Sequence, residues 1–122
     1  LIATTFKRPL KPQKEDMMNL VFNNMSRKDS EATFKQFVPE SGLATRKLTF
    51  WWRHGQETRI DCPVLVIGAT KDRLTPVRIQ KAMARKYSAD YQEFPGAHAL
   101  PREEGWQAPI EFILKWAADH NL

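Results

Sequence analysis

The stretch Cys62-Pro-Val-Leu-Val-Ile-Gly-Ala-Thr-Lys-Asp72-Arg-Leu-Thr-Pro76 decides the reading of this chain. Val64-Leu-Val-Ile67 is a continuous, β-branched-rich run, the pattern of a parallel strand covered on both faces. Thr75-Pro76 predicts a helix start, with a hydroxyl cap and proline at the first helical position. Ile79, Ala82, Met83 and Tyr87 then line one face of that helix. Ala89 to Phe94 reads as a weaker strand, and Pro95-Gly-Ala-His98 as the loop after it. Trp106, Ile110, Ile113, Leu114 and Ala117 recur at helical spacing and predict a closing helix. Strand, helix, strand, helix in this order implies parallel strands joined by right-handed crossovers.

Upstream, from about Lys11 to His54, the pattern is helical with short polar breaks. Glu15 to Met25 carries Met18, Leu20, Val21, Phe22 and Met25, which predicts a helix with a broad apolar face. Ser26 and Asp29 offer caps for a second helix that buries Phe34, Phe37 and Val38. Pro39-Glu-Ser-Gly42 breaks the pattern, and Ser41 offers a cap for a third helix through Leu48 to Trp52. The chain thus divides into a helical part, residues 1–59, and a strand–helix part, residues 60–122. It has no internal repeat and no low-complexity segment.

Composition bounds the function classes. With 122 residues, 42% hydrophobic and 27% charged, the chain can bury a modest core. No apolar run approaches the roughly 20 residues of a membrane span, and nothing resembles a secretory signal. The single cysteine, Cys62, rules out an internal disulfide and fits a reducing, cytoplasmic compartment. The net charge of +5 comes from scattered Lys and Arg without an aromatic platform, which predicts a solvated basic surface rather than a nucleic-acid face. No histidine has a Cys or acidic pair at ligand spacing, so no metal site and no cofactor is expected.

The strand–helix part resembles the C-terminal end of an α/β hydrolase. "PVLVIGATKDRLTP" is similar to that family's seventh strand and acid loop, and "PGAHAL" to its histidine loop. The helical stretch with "PESGLATRKL" resembles the cap inserted after the sixth strand, and Leu1-Ile-Ala-Thr-Thr resembles the end of that strand. The resemblance implies a partial α/β-hydrolase fold: a short parallel sheet of two or three strands, flanked by helices, with an N-terminal cap-like segment. It implies Asp72 and His98 as the acid and histidine of a Ser-His-Asp triad, in the family's chain order. The nucleophile is missing, because no Gly-x-Ser-x-Gly occurs anywhere in the sequence. The family's oxyanion donors lie in segments this sequence does not contain.

Each of these residues also has a simpler reading. Asp72 is well placed merely to cap the turn into the Thr75 helix. His98 alone would be an ordinary surface histidine; its position after a strand and Pro95-Gly96 favours the triad role. His120 falls in the last turn of the closing helix, where an imidazole suits the carbonyl end; His54 lacks any such context. Cys62 precedes its strand whereas Asp72 follows it. Five strand residues at about 3.3 Å each put roughly 16 Å between them. Ser88 precedes its strand likewise, Ser26 and Ser30 read as helix caps, and Ser41 has no base partner in its segment. Met17, Met18, Phe22, Met25, Phe50, Trp51 and Trp52 would pack the helical part onto the sheet, or line an apolar pocket for a small ester-like substrate.

The reading that follows is the C-terminal portion of an esterase- or lipase-like hydrolase that carries acid and histidine and is inactive as this chain alone. A non-catalytic, dimerising interaction module derived from the same fold is the alternative. In either case the open sheet edge requires a partner, a second copy in a homodimer or the missing N-terminal half.

Overall fold

A computed structural model describes residues 8–51 and 60–122. The expected strand at Leu1–Thr5 lies outside the described residues, as do Trp52 and His54 and the side chains of Phe50 and Trp51.

Two strands, β1 (Leu65–Ala69) and β2 (Asp90–Phe94), pair in parallel with Leu65 opposite Asp90 and Ala69 opposite Phe94. They are joined through a helix, Val77–Lys86, and β2 leads through a 3-10 turn at Leu100–Arg102 into the closing helix Gln107–Asp119. The α/β order expected from the pattern is therefore present. β1 begins one residue later than the apolar run and continues through Gly68 to Ala69. Its first three residues are only half-buried, and among the described residues β2 is its single strand neighbour.

The first connecting helix starts at Val77, with Pro76 at its cap position and no side-chain hydroxyl bonded to its N-terminus. Its buried residues are Gln80 and Ala84, whereas Ile79 and Met83 are exposed. The expected apolar stripe therefore lies largely exposed beside the sheet, and the small Ala84 is buried instead. The closing helix meets β2 through an edge-to-face pair of Phe94 and Phe112 at 5.8 Å, and Trp116 Nε1 donates to Asp90 Oδ2 at 2.6 Å.

The helical part departs from its pattern in two places. The helix expected over Glu15 to Met25 is a short turn, Lys14–Asp16, that widens into a π-helical segment, Met17–Val21. The Phe22 N–H closes this segment on the Met17 carbonyl at 2.9 Å, and both side chains are buried. The wider turn brings Phe22 down onto Phe37, ring to ring at 5.8 Å, which offsets the poorer backbone geometry. The second helix, Arg27–Lys35, is capped by Ser26 Oγ as expected, but it buries Ser30 and Thr33. Phe34 and Phe37 are half-buried, and Val38 lies beyond the helix end, 69% exposed. The third helix, Gly42–Trp51, takes its cap from Ser41 Oγ, which accepts from Ala44 N–H at 3.3 Å.

Long-range hydrogen bonds seat the helical part on the loop after β1 and on Glu103. Asn23 Nδ2 donates to the Lys71 carbonyl at 2.9 Å, Asn24 Nδ2 to Glu103 at 2.7 Å, and Lys71 Nζ to Asn24 Oδ1 at 2.9 Å. This places Phe22 and Phe37 next to the loops that follow both strands.

Candidate active site

Parallel pairing sends the loops after β1 and β2 out at the same sheet end. They are then stitched together: Thr70 N–H donates to Phe94 O at 3.0 Å and Lys71 N–H to Gly96 O at 2.7 Å. Asp72 follows directly. Its Oδ1 accepts from the Leu74 and Thr75 N–H groups at 2.9 and 2.8 Å, turning the chain toward the helix. Its Oδ2 lies 3.0 Å from His98 Nδ1 and 3.3 Å from Gln80 Nε2. Asp72 thus caps the turn through one oxygen and contacts His98 through the other.

The histidine loop is held by a residue that the sequence reading did not single out. Glu103 is 3% exposed, and its two oxygens accept the Ala97 N–H at 3.0 and 2.9 Å while Asn24 donates to Oε2. Ala97, fully buried, immediately precedes His98. Gly96 has φ of 152°, and a Cβ there would run into Leu100 Cδ1 and lie 3.2 Å from the Glu103 carboxylate. A glycine is thus required where the loop bends back over that carboxylate. Nothing local distinguishes Glu103 from the exposed Glu104 beside it.

The Asp72 side chain is 7% exposed and the His98 side chain 38%. When the carboxylate is ionised it can only accept, so a neutral His98 ring paired with it carries its proton on Nδ1 and its lone pair on Nε2. That tautomer can take a proton from a hydroxyl. The ring borders two depressions. One, of about 480 Å³, is lined by Val21, Phe22, Phe37, Val38, Pro101 and Arg102 among others. The other, of about 230 Å³, lies over Val66, Ile67, Ala69 and Met83 on the strand side.

The candidate nucleophiles do not join this pair. Ser26 and Ser41 cap helices, and Ser30 is buried with its hydroxyl on the Ser26 carbonyl at 2.7 Å. Ser88 sits in the turn that precedes β2 and Cys62, exposed, ahead of β1, both at the far end of the sheet. His120 is there too. It stacks on Trp116 at 4.3 Å, with Nδ1 on the Trp116 carbonyl at 2.8 Å and Nε2 3.6 Å from Asp90 Oδ2.

Behind Asp72 a half-buried polar network continues along the sheet. Tyr91 donates to Glu93 Oε2 at 2.9 Å, and Lys81 pairs with the same oxygen at 3.2 Å. Burial first, and then the hydrogen bond to the Glu93 carboxylate and its charge, push the Tyr91 phenol up to about 12. The phenol's hydrogen bond, followed by Lys81, lowers Glu93. Because the folded form holds the Tyr91 proton more tightly than the unfolded chain, this group leaves stability unchanged below its ordinary value near 10. Above that value it erodes stability progressively up to 12. Ultraviolet titration of the folded chain should show a tyrosinate step near 12 that Tyr91→Phe removes. Persistence of that step in the variant would contradict the assignment.

A family model described as serine hydrolase (FSH1) matches residues 12–110, a span that includes the helical part, both strands and both loops. No curated protein and no solved structure matches the chain. Among the described residues no helix is long and apolar enough to cross a membrane.

Proposed function

Since the chain belongs to the serine hydrolase (FSH1) family, we propose that it is the C-terminal portion of a Ser-His-Asp hydrolase, with Asp72 as the acid and His98 as the base. The observation that carries this reading is the 3.0 Å contact between Asp72 Oδ2 and His98 Nδ1, beside an apolar groove. His98 Nε2 takes the proton of a serine supplied by a segment outside this sequence, and that oxygen attacks an ester carbonyl. His98 then delivers the proton to the departing alkoxide, and water repeats the cycle on the acyl intermediate. Asp72 stabilises the imidazolium formed in each half. The helical part acts as the cap, and the groove beside Phe22, Phe37 and Pro101 receives a small apolar acyl group. The exposed thiol of Cys62 is suited to the cytoplasm.

The alternative, a dimerising module without chemistry, draws on one observation: no nucleophile stands beside His98 among the described residues. Both readings expect a second polypeptide against the outer edge of β1, which has no strand neighbour among the described residues. Fluorophosphonate labelling and light scattering on one purified sample test this. The expected result is an unlabelled chain that sediments and scatters as a homodimer, and a labelled product once an upstream Gly-x-Ser-x-Gly segment is joined to it. Labelling of the chain alone would overturn its inactivity without an added serine, and a joined product that is not labelled at the added serine would overturn the hydrolase reading. A soluble 14.2 kDa monomer would remove the homodimer.

A further inference from the structure

We infer that Gln80 is a positioning residue for the acid: its side-chain amide holds the Asp72 carboxylate in the orientation that presents Oδ2 to His98. Gln80 is a polar side chain on the sheet-facing side of the helix Val77–Lys86, 5% exposed, where the apolar pattern places no core residue. Its Nε2 donates to the Thr75 carbonyl at 2.7 Å and to Asp72 Oδ2 at 3.3 Å. Its Oε1 accepts from the Ala69 N–H at 3.2 Å, with the Tyr91 hydroxyl 3.3 Å away. Only one orientation of the amide serves these groups. Thr75 O and Asp72 Oδ2 accept and Ala69 N–H donates, so a flipped amide would face every one of them with the wrong polarity. The amide is pinned from both sides, by the last residue of β1 and by the turn that leads into the helix.

The consequence reaches the ring. Asp72 Oδ1 is already committed to Leu74 and Thr75 N–H, which restrains rotation at one oxygen. The Gln80 N–H does the same at the other, so the carboxylate plane is held at both ends and Oδ2 has one remaining direction, toward His98. Gly68 completes the arrangement, since a Cβ there would lie 2.6 Å from Gln80 Oε1 and against the Tyr91 hydroxyl. The strand must be bare at this point for the amide to fit.

This inference rests on Asp72 and His98 acting as a pair, and the experiment separates the two. The measurement is exchange with water of the His98 Nδ1 proton, followed by NMR on the intact chain, with Asp72→Asn as the reference. Gln80→Glu keeps the shape and the acceptor at Ala69 but removes the donors to Asp72 and Thr75. Gln80→Met keeps the volume and removes both roles without adding charge, so one of the two remains available if the other does not fold. Both should speed exchange about tenfold, the scale of one hydrogen bond to a charged group. Ala84→Gly, on the same buried helix face, should lower the melting temperature without changing exchange. Unchanged exchange in the Gln80 variants, or equal acceleration in Ala84→Gly, overturns the positioning role while leaving the pair intact. A proton that Asp72→Asn leaves unaffected overturns the pair itself, and the positioning role with it.

Discussion

Under the proposed function, Asp72→Asn, made in the chain joined to an upstream Gly-x-Ser-x-Gly segment, should lower kcat by about 10⁴-fold with KM little changed. The asparagine Oδ1 can still accept from Leu74 and Thr75 N–H, so the turn into the helix survives. The other end is where the change acts. An amide NH₂ then meets His98 Nδ1 and the Gln80 N–H, which both approach as donors. The ring relieves this by moving its proton to Nε2, the nitrogen that must accept the serine proton. Stability and chemistry are therefore affected very differently. Aryl-ester kinetics together with thermal unfolding check the prediction: a nearly intact melting temperature with kcat lost is expected. An undiminished kcat would show that Asp72 is only the turn cap.

The second large effect is on stability. Glu103→Ala should destabilise the chain by about 3 kcal/mol, because the fully buried Ala97 N–H and the Asn24 amide lose their acceptor together. In a domain of this size that corresponds to about 10 °C in melting temperature. Removing the carboxylate also relieves the cost of burying it, which keeps the figure from being larger. Glu104→Ala, one residue along and exposed, should change stability by about 0.5 kcal/mol or less. The contrast between neighbours is the informative measurement. Equal melting temperatures would mean that the Glu103 carboxylate does not anchor the histidine loop.

The legible features of this protein are those written in adjacent residues. The β-branched run Val64–Ile67, the Thr75-Pro76 helix start and the Pro95-Gly96 turn each act within a few residues, through dihedral preference and side-chain period. Together they determine strand, acid loop, helix, strand and histidine loop in that order, and parallel pairing then brings Asp72 and His98 to one end. Ser26 and Ser41 as helix caps are legible for the same reason, since donor and acceptor are three residues apart. Periodicity cannot choose which side of a helix is buried when, among the described residues, two strands are there to receive it. The Ile79 and Met83 stripe reads as core, yet Gln80 and Ala84 face the sheet, because the amide finds partners on Ala69, Thr75 and Asp72 that no local pattern announces. The π-helical turn at Met17–Val21 likewise arises from where Phe22 meets Phe37. Glu103 is the extreme case: its partner Asn24 is 79 residues away in the chain. A buried carboxylate is stable only beside specific donors, and folding alone brings those donors to it.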